Sequence, residues 1–357
     1  MTRLCKAPTE GKLLDGLGGL SRARKAQHSL AFHDEQARRM MADMGWYGAQ
    51  VAAEKGGTNS SAQAVLAMLE ECGRRLAPEP LVPIMASAMI LAGCREQAAA
   101  ELSAEVMAGK VFCVPIVPEL GHESAIVGQH SDSMLSGSSA PVFDAHGADC
   151  FLIALNINHR LAIYLAPRTA PGVSFSAKNT VDGGTLGRVQ FDRVDLASLT
   201  LLSSGSEAKL LVDQARDQML LGYAAQLLGL AQQAFAVTLD YLKTRRQFGA
   251  PIGSFQALQH RAATLHIGIS AARSFLYEAG AAIGGPQAAL AAAAVKAQVS
   301  EMAMHVVKEG VQMHGAIGYT DEHDMSLFFR RAMCLAAAGG DTAACLKRVS
   351  ALRQAGA

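Results

Sequence analysis

Aromatic residues, net charge and long hydrophobic runs are all scarce in this chain of 357 residues. Phe, Trp and Tyr make up 5% of the sequence, and the formal net charge is +1. This near-neutral charge excludes the basic face that nucleic-acid-binding proteins display. No uninterrupted apolar run reaches about 18 residues, so the sequence predicts no membrane-spanning helix. Residues 1–20 mix charges with glycines and show no signal-peptide core.

The cysteines form no pattern that is typical of a metal site or a disulfide framework. They are odd in number, scattered, and never form C-x-x-C. Such thiols are typical of reduced, buried side chains in a cytosol, so we expect a cytoplasmic protein. The seven residues are Cys5, Cys72, Cys94, Cys113, Cys150, Cys334 and Cys345.

What the chain does contain is enough apolar material for a large core, in three zones of different character. Half of the residues are hydrophobic, which excludes global disorder. Many of them are alanine, a residue that favours closely packed helices. The pattern predicts an N-terminal helical domain over residues 1–110, a β domain over residues 111–205 and a helical domain over residues 206–357.

Periodicity and turn residues predict the individual elements of these zones. The N-terminal helices are expected over residues 35–54, from residue 62 after the cap candidates Asn59, Ser60 and Ser61, and over residues 84–91. Short β-rich runs at residues 111–114, 150–155, 161–165 and 187–191 predict an antiparallel β domain. The C-terminal helices are expected over residues 207–244, from a Ser254 cap to residue 280, and over residues 286–314, 322–336 and 340–354.

Several motifs that often carry chemistry fail on their spacing. The glycines of residues 16–19 follow only Leu13 and Leu14, which is too short for the strand of a dinucleotide-binding fold. Gly-x-Ser-x-Gly is absent, which argues against a serine hydrolase. The acids and histidines between residues 119 and 130 have no metal-ligand spacing, so we predict no metal site. These residues are Glu119, His122, Glu123 and His130.

The stretch of residues 241–260, YLKTRRQFGAPIGSFQALQH, has the character of an anion-binding loop. The basic pair Arg245 and Arg246 ends a long predicted helix, a tight loop follows, and another helix begins. Arginine suits a pair of phosphate oxygens, and a helix N-terminus attracts anions as well. The alternative is a solvated helix end.

This stretch resembles the flavin-loop signature of acyl-CoA dehydrogenases. Residues 312–324, QMHGAIGYTDEHD, resemble the second signature of that family, and Arg330, Arg331 and Ala332 follow. The resemblance is strongest over residues 207–335. It implies an α+β fold class with an N-terminal helical domain, a central antiparallel β domain and a C-terminal four-helix bundle.

The resemblance implies FAD as the cofactor, and it assigns residues of the first signature to it. Arg245 should contact the FAD pyrophosphate. Gln247 and Phe248 should shape the cofactor pocket.

Residues of the second signature should complete the cofactor site. Gln312 and Gly315 should approach the adenosine-diphosphate part from a neighbouring subunit, and glycine permits close backbone approach. Ala316 replaces the usual second glycine of the family, which would tighten that edge. Tyr319 and Thr320 lie where the family contacts flavin or ligand, with ordinary turn packing as the alternative.

The family reaction needs a carboxylate that this chain lacks at the usual positions. A carboxylate removes the α-proton of an acyl-CoA thioester while the β-hydrogen leaves as hydride to the flavin. One family position for this base falls near Gly339, and another falls near Met219 or Gln226. Asp217 is the nearest acid, but two residues on a helix are about 200° apart. Asp217 is therefore a candidate base, with a surface or helix-start acid as the alternative.

Two further departures point to a branch of the family. Residues 117–121, VPELG, stand in place of a T-E-P-like segment that precedes a flavin-contacting loop. The shorter length, the run of residues 322–324 and the Gly-Asp pair at residues 340–341 resemble the bacterial steroid-degrading branch. Many enzymes of that branch are α2β2 heterotetramers in which one chain supplies the base.

The resemblance implies three alternative functions. The first is an FAD-sharing subunit that dehydrogenates a bulky, steroid-derived acyl-CoA together with a homologous partner chain. The second is a self-sufficient homo-oligomeric dehydrogenase that uses Asp217 or another acid. The third is a structural subunit without flavin. Electrons would leave either enzyme through an electron-transfer flavoprotein.

Overall fold

The computed structural model describes residues 7–27, 29, 34–118, 125–130 and 133–355, without the side chains of residues 7–9, 129 and 130. Its α-helices are α1 (Ala7–Gly16), α2 (Leu20–Ala26), α3 (Glu35–Asp43), α4 (Ala62–Arg74), α5 (Leu81–Gly93), α6 (Gln97–Met107), α7 (Ser206–Thr244), α8 (Gln256–Ala281), α9 (Ala288–His314), α10 (Asp324–Ala337) and α11 (Thr342–Ala355). Its strands are β1 (Cys113–Ile116), β2 (Ile126–His130), β3 (Met134–Ser139), β4 (Val142–Phe143), β5 (Cys150–Ile157), β6 (Arg160–Pro167), β7 (Val173–Asn179), β8 (Thr185–Asp195), β9 (Thr200–Ser204), β10 (Arg246–Gln247) and β11 (Ala250–Pro251).

The order of elements confirms the predicted fold class: helices, then β-sheets, then a helical bundle. By their contacts the residues form two compact units. The first unit takes its described residues from Ser29–Val65 and Glu79–Met219, and the second from Arg3–His28, Leu66–Pro78 and Leu220–Ala357. The predicted three-domain division at residues 110 and 205 stays a prediction.

The first unit contains two β-sheets. One has the strand order β1-β5-β6-β9, and the other has the order β2-β3-β8-β4 with β7 also paired to β8. The pairing is antiparallel except between β1 and β5, which run parallel. Side chains of β8 alternate strictly in its first half, with Val189 and Phe191 buried and Arg188 and Gln190 exposed. This alternation is that of a strand with one face on a core.

Helix α5 forms much of the helical core of the first unit. Almost all of its residues are buried, as a helix without a polar face requires. The Ser87 hydroxyl donates to the Cys113 carbonyl at 2.9 Å, which ties α5 to β1. Gly93 allows α7 to come close, because a Cβ there would lie 2.1 Å from Leu211 Cδ2.

The second unit is a bundle in which α9 packs against α8, α10 and α11. Small residues let its helices approach closely. A Cβ on Gly73 would lie 2.0 Å from the Gln226 carbonyl oxygen, and one on Gly229 would lie 1.8 Å from the Glu70 carbonyl oxygen. Helices α4 and α7 therefore cross nearly backbone to backbone at Gly73 and Gly229.

Several sequence predictions differ from the structure at element ends. The helix predicted over residues 35–54 ends at Asp43, because Gly45 adopts a left-handed conformation with φ of 74° and turns the chain. The cap predicted at Ser61 is present, since its hydroxyl accepts from the Ala64 amide at 3.3 Å. The cap predicted at Ser254 is wrong: its hydroxyl donates to the Pro251 carbonyl at 2.7 Å, and Phe255 occupies the N-cap position.

Helix α7 is long and apolar enough to cross a membrane by length and composition alone. Its best window has a mean hydropathy of 1.2, and 78% of that window is buried inside the protein. A buried core helix passes the same test, because burial in protein also selects apolar residues. Among the described cysteines all are free, and all but Cys334 are buried. Burial raises the pKa of the Cys94 thiol to about 11.

Candidate functional site

The loop after α7 presents the first predicted cofactor segment. Strands β10 and β11 pair as a two-stranded ribbon, and the Ile252 amide donates to the Arg245 carbonyl at 2.8 Å. Phe248, with φ of 52°, and Gly249, with φ of 81°, form the left-handed tip. Phe248 is 92% exposed. An exposed aromatic on a strained turn is the arrangement expected of a contact with another molecule.

The end of α9 presents the second predicted segment. Gly315 terminates the helix with φ of 68°, and nothing lies within 4 Å of the position that its Cβ would occupy. Gln312 is exposed on the last turn, and Tyr319 is 76% exposed after a 3₁₀ turn. The Thr320 hydroxyl donates to the Ile317 carbonyl at 3.1 Å, which supports the turn-packing alternative for Thr320. The exposed backbone at Gly315 leaves room for close approach.

A stack of aromatic rings brings these two segments to the same end of the bundle. Tyr241 lies one turn before Arg245 and stacks on His314 with ring centroids 4.4 Å apart. His314 in turn lies 4.6 Å from His323. Both predicted segments therefore start from one packed cluster of side chains. Sequence reasoning did not single out this cluster. Tyr241 is 73 residues away from His314, and the sequence does not show how the turn between His314 and His323 folds.

Hydrogen bonds fix the orientation of both histidine rings of this stack. His314 Nδ1 lies 2.7 Å from the Gly310 carbonyl oxygen, which assigns the ring proton to Nδ1. Burial lowers the pKa of His314, and the neighbouring His323 lowers it further. His323 Nδ1 accepts from the Met325 amide at 3.1 Å and so caps α10. The first turn of α10 is thereby joined to the end of α9.

The donors at this end of the bundle fit a dinucleotide cofactor. The Arg245 guanidinium is exposed and makes no ion pair or hydrogen bond to any residue that the structure describes. A free guanidinium suits a pyrophosphate, because its planar fork matches pairs of phosphate oxygens. Gln247 and Gln312 add exposed amides. Gly249 and Gly315 have open space where a side chain would stand.

The predicted base position at Gly339 is closed, in contrast to the open segments assigned to the cofactor. Gly339 is buried in the turn after α10 and has φ of 74°. A Cβ there would lie 3.2 Å from Leu220 Cδ2 and 3.4 Å from Tyr223 Cδ2. A longer side chain at residue 339 would therefore carry backbone strain and meet α7 at once.

A buried lysine holds this turn closed. Lys296 on α9 is fully buried, and its Nζ donates to the Ala336 carbonyl at 2.9 Å and the Gly340 carbonyl at 3.4 Å. It also bonds the Ser300 hydroxyl at 3.1 Å. The Ala336 carbonyl belongs to the last turn of α10, where a cation satisfies an orphan acceptor and the helix dipole, and the Gly340 carbonyl belongs to the turn that follows. Sequence reasoning missed this role, because a lysine in an apolar helix gives no signal of its partner.

The positions on α7 also lack an available carboxylate. Gln226 is 4% exposed and lies where α4 crosses α7. Met219 is half-buried. Asp217 is 9% exposed, and the neighbouring Arg216 donates to the Pro118 carbonyl at 2.9 Å. Asp217 thus stays a prediction as the base, now as a mostly buried acid instead of a surface one.

The remaining sequence candidates fall largely outside the described residues. Glu119, His122 and Glu123 lie there, as does the side chain of His130, so the departure at residues 117–121 is described only up to Pro118. Across the described part of the chain, no group of three His, Cys, Asp or Glu side chains could hold a metal ion.

Comparisons with known proteins identify the family. A sequence profile described as acyl-CoA dehydrogenase, C-terminal domain, matches residues 217–351. The acyl-CoA dehydrogenase IpdE2 of Mycolicibacterium smegmatis is 30% identical over 313 residues, which cover 87% of this chain and 85% of that protein. The chain belongs to the acyl-CoA dehydrogenase family. It is accordingly an oxidoreductase that acts on acyl-CoA, and the predicted cofactor FAD is confirmed.

Solved structures agree with this family and with the predicted branch. The structure described as the Tcur3481-Tcur3483 steroid ACAD is 28% identical, with a TM-score of 0.87 over 98% of this chain and 97% of that one. The ChsE4-ChsE5 complex from Mycobacterium tuberculosis has the same fold, at 22% identity and a TM-score of 0.85 over 99% of this chain and 98% of that one. The predicted resemblance to the steroid-degrading branch is thereby confirmed.

Proposed function

We propose that this chain is the FAD-sharing subunit of an acyl-CoA dehydrogenase that acts on a bulky, steroid-derived CoA thioester. One observation carries the proposal. The two segments assigned to FAD are open and rich in exposed donors, whereas the base positions hold no carboxylate, with Gly339 and Gln226 buried and Met219 half-buried. A chain that has the FAD contacts but no catalytic carboxylate fits a role in which another chain supplies the carboxylate.

Each assigned residue has a definite task in this function. Arg245 binds the pyrophosphate, and Gln247 and Phe248 line the cofactor pocket. Gln312, Gly315 and Ala316 face the adenosine-diphosphate part of the cofactor of a neighbouring subunit. Tyr319 and Thr320 lie beside the flavin or the ligand. When bound, FAD supplies the acceptor for the hydride that leaves the β-carbon of the substrate.

A homologous partner chain would then contribute the carboxylate that removes the α-proton. Support comes from the related Mycobacterium tuberculosis structure, which is a complex of two named chains, ChsE4 and ChsE5. Support for the substrate class comes from the relative described as a steroid ACAD. In this proposal an electron-transfer flavoprotein removes the electrons, and the reaction takes place in the cytoplasm.

A self-sufficient homo-oligomer is the second candidate, and one observation favours it. Asp217 is a largely buried acid on α7, the helix on which some family members carry the base. If Asp217 is the base, the chain purified alone should oxidise acyl-CoA, and Asp217→Asn should abolish that activity without loss of flavin.

The deciding experiment co-expresses the chain with a homologous chain that carries a helix glutamate, such as one encoded by a neighbouring gene. We expect stoichiometric FAD and turnover of a steroid-side-chain CoA thioester only in the complex. Turnover by the lone chain at a rate comparable to the complex would overturn the partner-subunit proposal.

A charge-matched pair of variants tests the cofactor assignment. Arg245→Ala should lower the flavin content of the complex at least about tenfold, because the pyrophosphate loses its bidentate donor. Lys243→Ala removes an exposed cation of the same helix end and should leave the flavin content unchanged. Equal, stoichiometric flavin in all three proteins would overturn the Arg245 assignment, whereas no flavin in any of them would favour the structural subunit without flavin.

A further inference from the structure

Residues 315–324 need support from outside their own turn. Most of their side chains are exposed, and Gly318 is the one fully buried residue among them. Gly318 contributes no side chain to a core, because a Cβ there would already lie 2.9 Å from His314 Cβ. Within the turn, the Thr320 amide and hydroxyl donate to the Ile317 carbonyl, and the Glu322 carboxylate is hydrogen-bonded to Thr320. A segment with so little buried surface keeps one conformation only through contacts to other elements.

An arginine from the second helix makes three of those contacts. The Arg24 guanidinium on α2 donates to the carbonyl of Asp321, to the carbonyl of Glu322 at 3.4 Å and to the Asp324 carboxylate at 2.7 Å. Guanidinium hydrogen bonds of this kind are charge-assisted and about twice as strong as neutral ones. One side chain thus spans the end of the turn and the first residue of α10.

A second arginine, Arg330 on α10, also contacts residue 321. Arg330 on α10 bonds the Asp321 carboxylate and lies 3.3 Å from Gln27 Oε1, just beyond the end of α2. Residue 321 is therefore held through its carbonyl by Arg24 and through its carboxylate by Arg330. Arg24 lies on α2, and Arg330 also bonds Gln27 just after α2, so the N-terminal helices contact the second signature and the arginine that follows it.

We propose that Arg24 is a positioning residue for FAD binding: it holds the turn that carries Tyr319 and Thr320 in its binding conformation. The inference rests on the proposed function, in which residues of this turn face the cofactor. Arg24 lies about 300 residues before its partners and outside the matched C-terminal domain, residues 217–351. The N-terminal helices would thus be part of the cofactor site and not only a covering of the bundle.

The test measures the turn and the cofactor separately, on the full chain in its complex. In Arg24→Ala we expect amide hydrogen exchange of residues 316–324 in the flavin-free protein to rise about tenfold, and the Kd for FAD to rise about tenfold. Arg24→Lys should restore part of both, because an ammonium still reaches the Asp324 carboxylate but offers no fork for the two carbonyls.

Asp15→Ala is the matched control. Asp15 on α1 pairs with Arg75 at 2.8 Å, so its loss loosens the N-terminal helices away from the turn. We expect unchanged exchange at residues 316–324 and an unchanged Kd for FAD. The inference is overturned if Asp15→Ala weakens FAD as much as Arg24→Ala does, or if Arg24→Ala leaves either readout at the wild-type value.

Failure of the inference and failure of the proposed function are distinguishable. If Arg245→Ala removes FAD while Arg24→Ala does not, the FAD assignment stands and the positioning role is wrong. If Arg24→Ala raises exchange in the turn while neither variant changes FAD binding, the cofactor assignment itself is wrong, and the positioning role falls with it.

Discussion

In the second unit, a segment predicted to contact the cofactor and a predicted base position use glycine in opposite ways. Gly315 and Gly339 both follow a helix and both have φ near 70° (68° and 74°). Around Gly315 nothing lies within 4 Å of a would-be Cβ, whereas around Gly339 side chains of α7 already lie at 3.2 Å. The same backbone conformation therefore leaves a space in one region and permits dense packing in the other.

This difference supports the proposal that the chain contacts FAD and leaves the base to another chain. Open backbone and exposed donors add little packing to the fold, and water satisfies them until a ligand binds, so they leave this region available for a cofactor contact. A turn filled by helix packing gains stability from the small residue and has no room for a catalytic side chain. The two regions can be changed independently, which makes the comparison testable.

The largest effect is expected where the closed turn loses its lysine. Lys296→Ala removes the hydrogen bonds to the Ala336 and Gly340 carbonyls and leaves a cavity, so the free energy of unfolding should fall by about 4 kcal/mol. Urea denaturation measures this. Lys347→Ala on the exposed face of α11 is the control, and an equal loss in both variants would contradict the role of Lys296.

The next effect tests whether the base can be put back. Gly339→Glu should lower the free energy of unfolding by about 3 kcal/mol, from left-handed strain and from overpacking against Leu220 and Tyr223, and should not confer turnover. Gly284→Glu has the same kind of φ, 79°, in open space and should lose only about 1 kcal/mol. Acyl-CoA oxidation by the lone Gly339→Glu chain would show that the turn is not closed.

A smaller effect is expected in the open region. Gly315→Ala adds a methyl group where the cofactor should approach, so the Kd for FAD should rise about tenfold while unfolding changes by about 1 kcal/mol. Gly284→Ala carries comparable backbone strain far from any assigned cofactor residue. If flavin titration gives the same Kd for both variants, the open space at Gly315 is not used by FAD.

The smallest effect is a change in the pH dependence of stability at the aromatic stack. The pKa of His314 is lowered in the folded protein, chiefly by burial, so the unfolded chain binds more protons below the ordinary value of 6.5. The free energy of unfolding should therefore fall as the pH drops through 6.5 towards the lower folded pKa. His314→Phe keeps a ring against Tyr241 and should flatten this fall, as thermal unfolding from pH 8 to pH 5 would measure. The exposed His305→Gln serves as control, and an unchanged slope in His314→Phe would contradict the assignment.

Long periodic helices were predictable because their apolar faces recur in the sequence. The helices predicted over residues 207–244 and 286–314 appear as Ser206–Thr244 and Ala288–His314. Strands β3 and β7 were not predicted, since MLSGSS and VSFSAKN have no apolar run and owe their structure to pairing with β8. The end of α3 was missed because a single left-handed glycine outweighed the periodicity.

For the site, the sequence alone determined which residue types stand where: two signatures with their arginine, glutamines and glycines, and no carboxylate at either base position. These are local patterns, so they can be read without a fold. Only the tertiary structure decided that Gly315 is open and Gly339 closed, that Lys296 seals the turn, and that Arg24 reaches residues 321–324. Each depends on groups far apart in the chain, and burial and hydrogen bonding between such groups exist only once the chain has packed.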